Sequence, residues 1–137
     1  MGICIDCIHT EPFTDGSVIQ MTFGTHWTLD TYIAVAHDCY YAQLNAMPHR
    51  VDIIADMRRS QQSNRYAMSI LLTQAAIRLT PNTQRFIVVG ASHDEDYLPT
   101  IHRRHPRLAR RVHLVDTVEA ALNYVMADRG LRHTPEL

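Results

Sequence analysis

The side chains best suited to chemistry lie where hydrophobic runs give way to polar residues. Asp56 closes the run from Val51, and Arg58, Arg59 and Ser60 follow it. Ser92 and His93 come just after Gly90, and Asp116 and Thr117 follow Val115. In α/β proteins ligands bind beyond the carboxyl ends of parallel strands, where the free N–H groups of the next helix attract anions. Asp56, Arg58, Arg59, Ser60, Ser92 and His93 are therefore candidates for an anion or phosphate site. The plainer account, preferred because position in a fold is a weak warrant, makes Arg58 and Arg59 solvated loop residues and Asp56 a structural turn acid. No catalytic residue is assigned.

Other constellations are less complete. Gly90-Ala91-Ser92-His93-Asp94 has the outline of a nucleophile elbow, but Asp94 stands where the tight turn requires glycine. Ser92 with Glu95 has capping-box spacing, which accounts for both without catalysis. Cys4 and Cys7, with His9 nearby, have metal-like spacing, yet residues three apart on a strand point to opposite faces. No second cysteine pair completes four ligands, so no metal site or cofactor is expected. His102 and His105 would share a face of one helix, a spacing that could hold a metal but suits surface residues as well.

The densest feature is Arg103, Arg104, Arg107, Arg110 and Arg111, five arginines within ten residues. Guanidinium forks suit carboxylates and phosphates, which makes these residues candidates for binding an acidic partner. Cations at a helix C-terminus, with Pro106 stopping the helix, are the preferred account, and an acidic protein partner comes next. No aromatic residue interleaves with them, so single-stranded nucleic acid is not expected as a partner.

These residues need elements to hold them. Gly2–His9 and Val18–Phe23 read as strands joined by turn residues Thr14–Ser17, a hairpin. Thr28 caps a helix to Ala46, whose apolar stripe is Leu29, Ile33, Ala36, Tyr40, Leu44 and Met47. Arg50–Met57 is a buried strand, residues 58–64 a polar loop, and Arg65–Thr80 a helix. Phe86–Val89 is a strand, a helix begins at Ser92 or Pro99 and runs to His105, and Val112–Val115 is the last strand. Thr117 opens a final helix released near Gly130, with a frayed tail beyond. The pattern predicts one α/β domain over residues 1–137, with a mixed, mostly parallel sheet, an N-terminal hairpin and about four helices.

This element order resembles the STAS family (sulfate-transporter and anti-sigma-factor-antagonist domains). In that family a buried strand ending in Asp leads into a Ser-Ser-Gly turn whose second serine is phosphorylated. The matching strand here is Val51–Asp56, with Asp56 in the place of the family's acid. Met57, Arg58 and Arg59 replace the Ser-Ser-Gly, so Arg58 occupies the phosphorylated position and carries no hydroxyl. Ser60 and Ser63 lie in the same region and are the phosphorylation candidates, although neither aligns with that serine. The resemblance implies a STAS-like fold and a non-enzymatic regulatory or interaction role. The alternative is a small α/β enzyme or phosphate-ligand binder built around Asp56, Arg58, Ser60 and His93, with a phosphorylated small molecule as ligand.

Composition narrows the field. The 137 residues have a formal charge of −1, and all 13 basic residues are arginine. The longest run without Asp, Glu or Arg, Gly16–Leu29, has 14 residues, too short to span a bilayer. The N-terminus has no secretory pattern, Asp6 spoils a myristoylation signal, and three cysteines do not suggest a disulfide framework. A cytoplasmic protein that self-associates or binds another protein is expected. The near-neutral total hides a division: residues 1–57 carry −6 and residues 58–137 carry +5. Such polarity suits head-to-tail or partner association.

Overall fold

A computed structural model describes residues 8–13, 17–61, 64–90 and 98–130. Strands β1 (Ile8–Phe13) and β2 (Val18–Phe23) precede helix α1 (Leu29–Ala46), β3 (Val51–Asp56), α2 (Asn64–Ile77) and β4 (Thr83–Val89). Two short helices, α3 (Leu98–Arg104) and α4 (Pro106–Ala109), lead to β5 (Val112–Val115) and α5 (Val118–Asp128). The strands form one sheet in the order β1-β2-β3-β4-β5. β1 and β2 are antiparallel and every other neighbouring pair is parallel, so the α/β fold with its hairpin and mostly parallel sheet is as the pattern predicts.

Alternation along the strands divides the core in two. Val51, Ile53 and Ala55 of β3 face a cluster with Tyr32, Leu71, Leu72, Ile101 and Leu108, which puts α1 to α4 on one side of the sheet. Ile54 packs with Ala121 and Val125, so α5 covers the other side. Asp52 and Asp56 share the Ile54 face, one at each end of the strand. All of β3 is buried, as expected for a central parallel strand. Thr28 and Thr117 cap α1 and α5, accepting hydrogen bonds from the N–H groups of Thr31 at 3.1 Å and Ala120 at 3.0 Å.

Four features differ from the sequence expectations. β1 extends to Phe13 despite Pro12, because an edge strand tolerates a missing N–H; the earlier part of the expected strand lies outside the described residues. The buried face of α1 is Tyr32, Ala36, Cys39 and Gln43, and the predicted stripe shares only Ala36 with it. Leu29 and Met47 are instead 42% and 44% exposed. Pro106 does more than stop a helix, since it occupies the first turn of α4 where its missing N–H costs nothing; with α4 the described residues hold five helices. α2 ends at Ile77, and β4 begins at Thr83. A start of the third helix at Ser92 and the tail beyond Gly130 lie outside the described residues. No helix among them is long and apolar enough to cross a membrane.

Candidate functional site

At the carboxyl end of β3 the chain turns sharply and folds back on itself. Asp56 is buried, and its Oδ1 accepts the Arg58 backbone N–H at 3.2 Å and Nε at 2.9 Å. Its Oδ2 accepts Arg58 Nη2, also at 2.9 Å. The result is a two-pronged ion pair in which the carboxylate holds the guanidinium pKa above its ordinary value. Met57 N–H donates to the Val89 carbonyl, and Gly90 N–H to that of Val115, which ties the ends of β3, β4 and β5 together. Gly90 has φ +89°, and a Cβ there would lie 2.7 Å from Arg58 Cγ. The backbone at Gly90 therefore requires glycine for two reasons, conformation and the stem of Arg58 lying over it.

The neighbouring residues of the proposed anion site are disposed differently. Ser60 is half-buried, its Oγ accepting Trp27 Nε1 at 3.0 Å while its N–H donates to the Met57 carbonyl. Trp27 packs edge-on against Phe23 and Tyr32, so Ser60 is anchored to the start of α1. Arg59 is exposed and makes no hydrogen bond or ion pair among the described residues. Asp56 and Arg58 are thus brought together and neutralise one another, whereas Arg59 points its charge to solvent. Ser92, His93 and Ser63 lie outside the described residues, as do Cys4 and Cys7.

The arginine row occupies α3, α4 and the turn into β5. Arg103 and Arg104 end α3, where cations favour the helix C-terminus. Arg103, Arg104, Arg107 and Arg110 are exposed, and their guanidiniums have no ion pair or hydrogen bond among the described residues. Arg111 is half-buried, and its Nη1 is buried with no hydrogen-bond partner among the described residues. Burial lowers its pKa, and the positive charges of Arg107, Arg110 and Arg85 lower it further. His105 precedes α4 with φ −138°, outside either helix, so it does not share a helical face with His102. No group of three or more His, Cys, Asp or Glu side chains that could hold a metal ion occurs among the described residues.

A second polar assembly was not legible in the sequence. At the amino end of β3, fully buried Asp52 accepts from Arg50 Nε at 3.0 Å, Arg129 Nε at 2.9 Å and the Arg85 backbone N–H at 2.9 Å. Asp128 accepts from Arg85 Nε at 3.0 Å and from Arg50, and these two guanidiniums pull its pKa down to about 2. Arg129 also donates to the Ser17 hydroxyl and carbonyl. This network ties the end of α5 to three strands and is structural. Its partners lie up to 112 positions apart, and the only local signal is an Asp inside a buried strand.

Between α1, α2 and the sheet lies a cavity of about 20 Å³, lined by Tyr32, Cys39, Gln43, Arg78 and Phe86 among others. It has room for a water molecule rather than a metabolite. Gln43 closes one end by accepting from Thr80 and Thr83, and Asn82 Nδ2 donates to the Gln43 carbonyl at 2.9 Å. Burial, with a smaller push from Asp38, raises the Cys39 pKa to about 11, so the thiol is protonated and inert at neutral pH. No protein-family model matches the chain, and no curated protein matches it.

Proposed function

We propose that this protein is a non-enzymatic, STAS-like regulatory or interaction domain that works in the cytoplasm by docking an acidic protein surface. The observation that carries the reading is the contrast between two sets of arginines. Arg58, at the strand end an α/β enzyme would use, is engaged by Asp56. Arg103, Arg104, Arg107 and Arg110 are exposed, and their guanidiniums have no ion pair or hydrogen bond among the described residues. Exposed forks of this kind favour carboxylates. The order of strands and helices and the acid at the end of β3 support the likeness to STAS domains. The Arg58 and Arg59 replacements argue for an interaction role without the family's phosphoswitch.

Fluorescence anisotropy with a labelled glutamate-rich peptide tests the reading, with a lysine-rich peptide as control. Binding of the acidic peptide is expected to weaken at least tenfold in Arg103→Glu/Arg107→Glu/Arg110→Glu and to fall with added salt. Equal binding by the variant would reject the reading. So would phosphorylation of Ser60 or Ser63 controlling the interaction, because the proposed surface lies on other elements.

A further inference from the structure

The two lateral edges of the α1–α4 layer are chemically opposite. α1 packs against β1 and α2, and α2 packs against α4, so α1 and the arginine row lie on opposite sides of α2. The charged residues of α1 are Asp30 and Asp38, with no arginine, and β1 adds Glu11. Between β1 and α1 runs a groove of about 170 Å³ lined by Thr10, Glu11, Ile19, Asp38, Cys39 and Ala42. Ile19 and Cys39 are buried, whereas Glu11, Asp38 and Ala42 are exposed. Glu11 has only a distant contact with His9 Nε2 at 3.9 Å, and Asp38 has no ion pair or hydrogen bond among the described residues. Apolar lining with two free carboxylates matches the arginine side chain, which has an aliphatic stem and a cationic fork.

We infer that the occupant of this groove is a second copy of the chain, which docks the arginine row of one protomer into the β1–α1 groove of the next. This rests on the reading of the row as a protein-docking surface and names its partner. Charge decides the arrangement. The groove and the row lie on opposite sides of α2, so a two-fold contact through either one alone would set α1 acids against α1 acids, or guanidiniums against guanidiniums, and like charges repel. Head-to-tail contact sets guanidiniums of the row against Glu11 and Asp38 of the groove. It also gives cover to the outward side of α1, where Tyr41 is 52% exposed and stacks edge-on with His37 and Tyr40. Arginine over exposed tyrosine adds a cation–π contribution.

Sedimentation velocity on the full chain over a concentration series, at about 50 mM and about 500 mM salt, provides the test. The wild type is expected to self-associate and to do so less at high salt. A groove variant, Glu11→Ala/Asp38→Ala, and a row variant, Arg107→Ala/Arg110→Ala, are each expected to weaken self-association at least tenfold. Circular dichroism checks that both are folded. Mixed in equal amounts, they are expected to form a heterodimer that grows no further, since one intact groove meets one intact row. A monomeric wild type, undiminished association of either variant, or a mixture that stays monomeric would each overturn the proposal. If the wild type is monomeric but its row still binds the glutamate-rich peptide, the second copy is wrong as the partner and the docking surface stands. Loss of both rejects both.

Discussion

Arg58 grips both carboxylate oxygens of Asp56, Nε on Oδ1 and Nη2 on Oδ2, each at 2.9 Å. The residues are two apart, and the pair sits at the strand end where an anionic ligand would otherwise meet the guanidinium. Removing the negative charge should uncover that ability. Asp56→Asn keeps an oxygen able to accept the Arg58 N–H but no longer neutralises the guanidinium. Sulfate or phosphate should raise the melting temperature of this variant more than that of the wild type in scanning fluorimetry at matched ionic strength. Equal shifts would mean that Asp56 does not mask Arg58.

Gly90 is the second half of that arrangement. Gly90→Ala should destabilise the protein by about 1–3 kcal/mol, the usual cost of a side chain at positive φ. The stem of Arg58 adds a steric part, because the new methyl would lie 2.7 Å from Cγ. Urea denaturation of Gly90→Ala, Arg58→Ala and the double variant separates the two contributions. A double variant less destabilised than the sum of the singles is expected.

Asp52 is the charge on which the opposite end depends. Asp52→Ala leaves Arg129, whose side chain is 12% exposed, without its acid partner, and should cost about 3–5 kcal/mol. Asp52→Ala/Arg129→Met should recover part of that loss, since removing both charges is cheaper than stranding one. Unfolding midpoints measure both.

The same network predicts a response to acid. Hydrogen bonds from Arg85 and then Arg50 depress the Asp128 pKa to about 2 in the folded protein. The unfolded chain binds that proton at about pH 4, so the contribution is complete above about pH 4 and is lost as pH falls towards 2. The stability gap between wild type and Asp128→Asn should therefore be open at neutral pH and close across that window. A gap independent of pH would show that Asp128 is not held ionised by its arginines.

Element order was readable because it rests on local physics. Val18–Phe23 and Val112–Val115 are observed at the bounds expected from their apolar runs and flanking turn residues. Thr28 and Thr117 cap the helices they were expected to open, and positive φ at Gly130 marks where α5 is released. Asp56 and Arg58 are recognisable as strand-end residues, but not as one another's partners, since the Arg58 stem is placed by packing over Gly90 of the neighbouring strand end.

Periodicity alone could not choose the buried face of α1. The helix carries apolar residues on more than one side, and burial goes to whichever side the sheet meets, here Tyr32, Ala36, Cys39 and Gln43. The Asp52–Arg129 pair likewise spans 77 positions and exists only because α5 crosses back over β3. The sequence by itself therefore determined the order of elements, their caps and the division of charge along the chain, all consequences of near neighbours. Only the tertiary structure decided which arginines are neutralised and which are exposed, because ion pairing depends on distance in space, and that distance is set by packing.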